Sequence, residues 1–310
     1  MRNSFKILFF LKSIFVSILI IYLIKTFVYA TFYVSDDFME DTIFNGDLLL
    51  INRNIHNLNN NDVITYLYPL DTGYTNKQRP KLLGRCIGIP GDKLSISKSK
   101  ILVNDKVLPD NETKKYNYKI ITNKPYINYF IFQNLNINSL KQVNENEYII
   151  ATNVKTLDYL TKFDFITEAT LDCTDKGIYD EMIFPSSPFI HNNIDNLNLL
   201  QIPKIGDTIQ LTRFNIPLFY QIITFYEKNS FKIIRKKIHI NGRKTNFYVF
   251  RNNYYYIIAD NWHNSFDSRY FGLVPEKYIQ GKVSMVIASV DKHTKWYNAI
   301  RFNRFFKPIK

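Results

Sequence analysis

The fold of this chain is indicated best by one stretch near its carboxyl end, Ala259-Asp-Asn-Trp-His-Asn-Ser-Phe-Asp-Ser-Arg-Tyr-Phe-Gly-Leu-Val-Pro-Glu276. The stretch completes an apolar run, YYYIIA, whose tyrosine and isoleucine content is typical of a buried β-strand. Asp260 and Asn261 follow that run, and residues of these types bond to turn backbone, so we expect them to fix the turn at the strand's end. Asp267 and Arg269 are predicted to form a charge-assisted ion pair that closes the loop.

The chain before this stretch is rich in short apolar runs bounded by turn residues, which favours a mainly antiparallel β fold. Three of the runs follow a glycine-aspartate pair, at Gly46-Asp47, Gly91-Asp92 and Gly206-Asp207. Glycine tolerates positive φ, and aspartate can bond back to the turn backbone. Asn104-Asp105 and Asn241-Gly242 lie between apolar flanks and predict tight hairpin turns.

Composition indicates a folded, basic protein. The chain has 310 residues, 46% of them hydrophobic, and a formal net charge of +13. This charge suits an anionic membrane surface or a nucleic acid, but no zinc-finger, helix-turn-helix or RNA-binding motif is present, so a nucleic-acid partner is not expected. Cys86 and Cys173 lack the spacing of a metal or redox pair. No metal or other cofactor is predicted, the thiols are expected to be small and buried, and their pairing is left open.

The amino-terminal region predicts a membrane anchor. Residues 7–34 are mostly apolar, interrupted by Lys12 and Lys25, and a membrane-spanning helix needs roughly 20 apolar residues. Arg2 and Lys6 precede the stretch, so the positive-inside rule predicts a cytoplasmic amino terminus and an exported body. A cleaved signal peptide is the alternative, which the length of the stretch and the absence of a small-x-small cleavage pattern disfavour.

Three segments resemble the bacterial type I signal peptidase (leader peptidase) family. The stretch quoted above is similar to the late motif of that family, in which G-D-N-R is followed by S-x-D-S-R, an aromatic residue, G and V-P. Residues 85–92, RCIGIPGD, resemble the K-R-x-x-G-x-P-G-D box. Residues 39–53, MEDTIFNGDLLLINR, resemble S-M-x-P-T-L followed by G-D and a hydrophobic strand. Order and spacing are those of the family, over the anchor, residues 34–105 and about 203–290.

The resemblance implies a signal-peptidase-like antiparallel β core with an inserted β-rich subdomain and one preceding transmembrane helix. It also implies a single-pass protein of the bacterial inner (cytoplasmic) membrane. The expected parts are a cytoplasmic amino terminus and anchor at 1–34, a β core at 35–105 with 251–291, an inserted subdomain at 106–250, and a basic aromatic tail at 292–310. The tail suits the interface of an anionic bilayer and packing on the β core equally well.

Catalysis in that family uses a serine hydroxyl that attacks the scissile carbonyl and a buried, neutral lysine that removes its proton. The alignment through Met39 puts Phe38 at the serine position, and the alignment through Arg85 puts Gly84 at the lysine position. Neither residue has a reactive group, and losing both is expected to cost several orders of magnitude in turnover, roughly 10⁴ to 10⁶. The leading hypothesis is a catalytically impaired homologue, a pseudoenzyme.

The remaining resemblance concerns residues around the dyad. Ser265 matches the family's serine that hydrogen-bonds the catalytic lysine. The residues expected to support the site are Ser265, Asp267, Arg269, Asp260, Asn261, Met39 and Arg85. The resemblance implies exported precursors with signal peptides as partners, together with membrane lipids and either an active signal peptidase or the export machinery.

Two alternatives keep proteolytic activity. Ser35 and Lys81 each stand three residues before a dyad position, so an active serine endopeptidase could use them. A three-residue shift along a strand moves a side chain about 10 Å and onto the opposite face, which disfavours this reading. Cys86 with His263 is a weaker alternative, because Cys86 is expected in the core and His263 on the exposed loop.

Overall fold

The computed structural model describes residues 10–19, 22, 28–70, 75–76, 78–125, 127–292, 294 and 299–309. The strands are β1 Tyr29–Tyr33, β2 Asp47–Asn52, β3 Val63–Leu67, β4 Lys81–Gly88, β5 Lys93–Ser97, β6 Lys100–Val103, β7 Lys106–Val107, β8 Tyr116–Thr122, β9 Leu140–Asn144, β10 Glu147–Thr152, β11 Ile166–Leu171, β12 Leu197–Gln201, β13 Thr208–Gln210, β14 Phe231–Ile234, β15 Lys237–Ile240, β16 Arg243–Lys244, β17 Phe247–Val249, β18 Tyr254–Ile258, β19 Val274–Pro275 and β20 Ile279–Ser289. The labelled helices are α1 Tyr129–Asn134, α2 Val154–Leu160, α3 Ile216–Gln221, which continues as a π-helical turn Ile222–Tyr226, and α4 Ser268–Phe271. Short 3₁₀ turns span Trp262–Asn264, Glu276–Tyr278 and Phe302–Arg304.

The main sheet has seven strands in the order β1-β2-β20-β3-β4-β18-β19. Every neighbouring pair in it is antiparallel, so the predicted mainly antiparallel β fold is confirmed. All five residues of β18 are buried, as the apolar run at 254–258 predicted. This sheet brings the two ends of the chain together, because β20 lies between β2 and β3.

The glycine-aspartate turns form as predicted. In each one the glycine has positive φ, at 90°, 97° and 87° for Gly46, Gly91 and Gly206. The aspartate that follows accepts a hydrogen bond from the backbone N–H three residues before it, at 2.9, 3.0 and 3.1 Å respectively. The side chain thereby closes the turn, and a strand begins at or directly after it.

The amino-terminal prediction needs correction at its boundary. Residues 10–19 are helical and exposed, whereas residues 29–33 form β1, with Tyr29 opposite Asn52 and Tyr33 opposite Leu48. The predicted end of the anchor at residue 34 is therefore wrong, because the backbone of residues 29–33 pairs with β2. Among the described residues, no helix is both long enough and apolar enough for a membrane crossing. The rest of the predicted anchor, at 1–9, 20–21 and 23–27, lies outside the described residues.

The segment at 106–250 is joined to the core at several points. Strands β8 to β11 form a four-stranded sheet of their own in the order β11-β8-β10-β9. Strand β12, however, pairs with β5 to extend the β5-β6-β7 sheet. One buried apolar cluster contains both Tyr148 of β10 and Tyr256 of β18, so the two regions share a hydrophobic core.

The carboxyl-terminal tail packs on the main sheet over residues 299–309. Arg304 is buried and forms an ion pair with Asp47 at the start of β2, with Nε 3.0 Å from Oδ1. Pro308 bridges to Met285 of β20. Phe302 and Phe306 remain about 70% exposed, at 72% and 69%. Residues 293, 295–298 and 310 of the tail lie outside the described residues.

Candidate functional site

The segment that carries Phe38 lies against the carboxyl end of β18. The backbone N–H of Asn261 donates to the Phe38 carbonyl at 2.8 Å. The N–H of Asp260 points to the sulfur of Met39 at 3.3 Å, and the Met39 side chain is fully buried. The structure therefore brings the methionine of the first matching segment to the turn that begins the late one.

Asp260 joins three parts of the chain through its carboxylate. It accepts hydrogen bonds from Arg85 Nε at 2.9 Å and Nη2 at 2.7 Å, and from Thr42 Oγ1 at 2.6 Å. Arg85 also donates from Nη1 to the Asn61 carbonyl at 2.7 Å. Both charged groups are buried, so each compensates the other's loss of solvation. This pairing fixes β4, the segment after β1 and the end of β18 relative to one another.

The predicted ion pair between Asp267 and Arg269 is confirmed. It is bidentate, with Nε to Oδ1 at 2.9 Å and Nη2 to Oδ2 at 2.7 Å, and the guanidinium lies 4.3 Å from the centre of the Trp262 ring. Burial opposes the charge on Arg269, but the Asp267 carboxylate outweighs it, and the pKa of Arg269 is raised. The loop is thus closed by a charge-assisted contact within the core.

Ser265 is buried inside this loop. Its Oγ donates to Asp267 Oδ2 at 3.2 Å and accepts from Arg269 Nη2 at 3.1 Å. The hydroxyl therefore uses its proton and a lone pair within the loop. Its position needs no lysine partner to be stable.

Gly84, which the resemblance aligns with the family's lysine, lies in the middle of β4, opposite Ile64 of β3. A Cβ placed on Gly84 would lie only 2.7 Å from Ile257 Cγ2 and 3.6 Å from Tyr66 Cε1. Ile257 and Tyr66 are both buried in the core. Apolar side chains from β18 and β3 border the place where a side chain at residue 84 would begin, and Ile257 partly occupies it.

Phe38 is the residue that the resemblance aligns with the family's serine. Its side chain is half-buried and packs against the apolar cluster that includes Met39 and Val34. Its N–H donates to Asp36 Oδ1 at 3.2 Å. Burial raises the pKa of Asp36. Burial, followed by the carboxylates of Asp267 and Asp36, raises the pKa of Tyr66 well above its ordinary value, so its phenol is neutral.

The displaced candidates Ser35 and Lys81 are both exposed. Lys81 is the first residue of β4, opposite Leu67, and the Ser35 carbonyl accepts a hydrogen bond from Asn45 at 3.3 Å. Among the described residues, no hydrogen bond joins Ser35 to Lys81. A lysine that acts as a general base must be desolvated, whereas Lys81 is exposed.

The cysteine-histidine alternative is not assembled either. Cys86 is fully buried as predicted, and burial raises the pKa of its thiol well above the ordinary value. The expectation that His263 is exposed is wrong: 8% of its side chain is accessible, and Nε2 lies 2.9 Å from Asp195 Oδ1. Cys173 and Cys86 are both free thiols, and burial raises the pKa of Cys173 to about 11.

Asp195 contacts the late loop, and the sequence did not predict this contact. Besides His263, its carboxylate accepts hydrogen bonds from Trp262 Nε1 at 3.0 Å, Ser99 Oγ at 2.5 Å and the Thr174 N–H at 2.8 Å. Burial opposes ionisation, but these donors hold the pKa of Asp195 well below its ordinary value. Asp195 lies in an asparagine-rich loop that matches no motif. Its composition indicated a loop and gave no sign of the contacts that Asp195 makes. It fastens the late loop to the 106–250 segment.

An open cleft of about 620 Å³ borders the segment that carries Phe38. Its polar lining includes Asp37, Glu40, Asp41, Asn136, Asn138, Asp291, Lys292 and Arg301. Lys115 pairs with Glu40 at 2.8 Å and with Asp41 at 3.3 Å beside the cleft. Within the described residues, no three His, Cys, Asp or Glu side chains are grouped closely enough to hold a metal ion.

Comparison with known proteins agrees with this arrangement. The family described as signal peptidase, peptidase S26, matches residues 7–156 and 224–288. Signal peptidase I of Buchnera aphidicola subsp. Baizongia pistaciae is 24% identical to this chain, over 94% of this chain and 80% of the relative. Signal peptidase I of Buchnera aphidicola subsp. Acyrthosiphon pisum is 25% identical over 96% and 81%, and that of Haemophilus influenzae is 22% identical over 97% and 75%. Because the matched family segments cover more than half of its length, this chain belongs to the signal peptidase S26 family.

Proposed function

We propose that this chain is a signal peptidase homologue that has lost serine-lysine proteolysis and binds signal-bearing exported precursors without cleaving them. The observation that carries the proposal is the contact at residue 84. A Cβ there would lie 2.7 Å from a buried isoleucine methyl, so the fold leaves no room for a lysine side chain at residue 84 unless Ile257 moves. Phe38, at the serine position, offers only a packed aromatic ring.

The arrangement around the two positions supports a retained scaffold. The ion pairs Arg85–Asp260 and Asp267–Arg269 are buried and bidentate, and they hold the loop without either dyad residue. The exposed Ser35 and Lys81 do not replace the dyad, because no hydrogen bond joins them within the described part of the chain.

Binding of a precursor would use the free edge of the main sheet. Strand β1 ends the sheet and pairs only with β2 among the described strands, and its Thr31 and Tyr33 side chains are exposed. An edge strand presents unpaired backbone groups to which an extended peptide can add. The cleft lies next to this strand in sequence, because its first lining residue, Asp37, comes four positions after the end of β1 at Tyr33.

The membrane topology is part of the same proposal. We assign the apolar stretch from Ile7 up to the start of β1 as a single anchor in the bacterial cytoplasmic membrane, with the amino terminus in the cytoplasm and the β domains exported. Arg2 and Lys6 before the stretch support this orientation. The observed start of β1 at Tyr29 limits the anchor to the residues before it.

The first test is cleavage. The full chain, purified in detergent, is incubated with a signal-bearing precursor beside an active signal peptidase as a positive control. We expect the precursor to stay intact in all samples of this chain, including Ser35→Ala and Lys81→Ala. Cleavage at the signal junction by the unmodified chain, abolished by Ser35→Ala, would show that the proposal is wrong.

The second test is binding at the edge strand. A photo-crosslinking residue placed at Tyr33, which is 41% exposed, is expected to capture a signal-bearing precursor. The same precursor without its signal peptide should be captured at least tenfold less. The same crosslinker at Phe189, which is 70% exposed and lies in the loop after β11, serves as the control. Equal capture at both positions would contradict binding along β1.

A further inference from the structure

The segment from 228 to 251 has an unusual charge distribution. It contains eight basic residues, Lys228, Lys232, Arg235, Lys236, Lys237, Arg243, Lys244 and Arg251, and neither aspartate nor glutamate. The whole chain has 40 basic and 27 acidic residues, so this short segment supplies much of the net charge of +13. This concentration of positive charge creates a local positive electrostatic potential.

The fold concentrates these charges on one small sheet. Strands β14, β15 and β16 are antiparallel neighbours, with Ile234 opposite Lys237 and Ile240 opposite Arg243. Six basic side chains, all on these strands or on the first turn, are exposed or nearly so: Lys232, Arg235, Lys236, Lys237, Arg243 and Lys244. In the part of the chain that the structure describes, none of the six pairs with a carboxylate.

The tip of the sheet is apolar as well as basic. Ile233 and Ile234 precede the turn and are 60% and 49% exposed, although they point to opposite faces of the strand. The base of the sheet is fixed, because Ile238 and Ile240 are buried and the Phe231 ring contacts Tyr220 at 5.4 Å. A rigid hairpin thus presents two isoleucines surrounded by cations.

The turn at the tip has a backbone that its residue types disfavour. Arg235 and Lys236 both have positive φ, at 47° and 60°, in a two-residue turn that asparagine and glycine favour. The next turn of the same sheet, Asn241-Gly242, has the favoured pair at φ values of 52° and 78°. The first turn therefore has an unfavourable backbone and carries two long cationic side chains at the tip of the sheet.

The β14–β16 sheet is connected to the end of the main sheet where β1 begins. Tyr226, in the π-helical turn just before β14, contacts Tyr278 and accepts a hydrogen bond from Lys277, which directly precede β20. The register pairs Tyr29 with Asn52 and Asn52 with Lys282, so β1 begins at the same end of the main sheet as β20. The apolar amino-terminal stretch enters the fold at that end.

We propose that the β14–β16 sheet docks on an anionic phospholipid surface, with Ile233 and Ile234 entering the interface and the surrounding Lys and Arg side chains contacting lipid phosphates. Exposed aliphatic groups framed by cations suit the boundary between headgroups and acyl chains. A nucleic acid or an acidic protein would use the charge but would leave the isoleucine tip without a partner.

The test places a reporter at the tip. The full chain with Cys173→Ser and Ile234→Cys is labelled with an environment-sensitive fluorophore and reconstituted into nanodiscs whose lipids carry brominated acyl chains. We expect quenching in discs containing phosphatidylglycerol and little in pure phosphatidylcholine. Raising the salt to 0.5 M should reverse it, because the Debye length then falls to about 4 Å.

The decisive variant is Arg235→Asn with Lys236→Gly. It gives the turn its favoured residues, so the fold should be at least as stable, while the tip loses two charges. At about 1 kcal/mol for each basic residue, the ratio of docked to undocked tip is expected to fall about 30-fold. The control is Lys98→Asn with Lys100→Thr, which removes two exposed charges from the β5–β6 hairpin and should change the ratio less than twofold.

Three results would overturn the proposal. The first is equal quenching in neutral and anionic discs, and the second is an equal effect of the control variant. The third is absence of quenching in every disc, together with binding of an oligonucleotide or polyglutamate in detergent that Arg235→Asn with Lys236→Gly weakens. That last outcome would assign the surface to a soluble polyanion.

Discussion

At the scale of single residues, Gly84 and Ile257 form the contact on which the proposed loss of catalysis depends. Adding a methyl group to Gly84 overpacks the space between β4 and β18, so Gly84→Ala should lower the free energy of unfolding by about 1–3 kcal/mol. In an Ile257→Ala background the methyl group fits, and the same substitution should cost almost nothing. Urea denaturation of the four proteins in this cycle measures the difference. Equal costs in both backgrounds would show that Ile257 does not close the space.

Asp195 allows a second prediction at this scale. Asp195→Asn removes the negative charge that Trp262, His263 and Ser99 share at Oδ1. It also replaces Oδ2, the acceptor of the Thr174 N–H, by a donor, so we expect a loss of about 1–3 kcal/mol at pH 7. Asp175→Asn, an exposed substitution in the chain leading to this loop, should change stability by less than about 0.5 kcal/mol.

The pH dependence of Asp195 has a definite sign. Its pKa in the folded protein is held well below the unfolded value near 3.8, so the folded state favours the carboxylate. The stabilisation is complete above about pH 4 and is lost as pH falls below the unfolded pKa towards the lower folded pKa. Unfolding free energies measured from pH 2 to pH 7 should therefore fall less steeply with acid in Asp195→Asn. An unchanged acid slope would contradict the role assigned to this carboxylate.

The contacts of Asp195 could not be predicted from the sequence. Phe38, Gly84 and the Asp267–Arg269 pair could be located from segments with fixed spacing. Asp195 reaches His263 across 68 positions in the sequence, and it lies just before β12, which pairs with β5. No local pattern encodes such a contact. His263 was accordingly predicted on the surface, although folding covers it.

At the scale of elements, turns were predictable where their residues are of types that tolerate positive φ. Asn104-Asp105 and Asn241-Gly242 form tight turns with positive φ, as their residue types indicate. Lys98-Ser99 and Arg235-Lys236 adopt the same backbone without such residues, so their hairpins were not predicted. The first is held by Ser99 on Asp195, and the second carries the charged tip. Turn residue types predict the first two turns, whereas the turn at Lys98-Ser99 depends on a contact distant in sequence.

The carboxyl-terminal tail provides the element-scale prediction. Arg304 covers a carboxylate, Asp47, that is completely buried at the start of β2. Arg304→Met keeps the side-chain volume but leaves that charge unpaired, so it should cost about 3–5 kcal/mol in unfolding free energy. Arg301→Met removes a partly exposed ion pair with Asp291, 3.6 Å long, and should cost less than about 1 kcal/mol. Similar thermal shifts for both variants would mean that the tail is not fixed through Arg304.

At the scale of the whole molecule, two buried polar networks, centred on Asp260 and on Asp195, hold the late loop in place. The late loop is joined to β4 through Asp260 and to the 106–250 segment through Asp195. Neither connection passes through residue 38 or residue 84. Selection for binding alone could therefore preserve the scaffold, and the scaffold should still accept a dyad.

Restoration tests this directly. Phe38→Ser with Gly84→Lys supplies the missing groups, but the Ile257 contact opposes any side chain at residue 84, so this pair alone should stay inactive. Adding Ile257→Ala should permit the lysine and give cleavage of a signal-bearing precursor at its signal junction. The matched control replaces Gly84→Lys by Gly84→Met, which has similar length but no amine and should give no product. Activity in the triple variant would show that the precursor site is intact, because a nucleophile and a base act only on a correctly bound substrate. A folded but inactive triple variant, with far-ultraviolet dichroism and melting temperature unchanged, would mean that the binding edge has been lost along with the dyad.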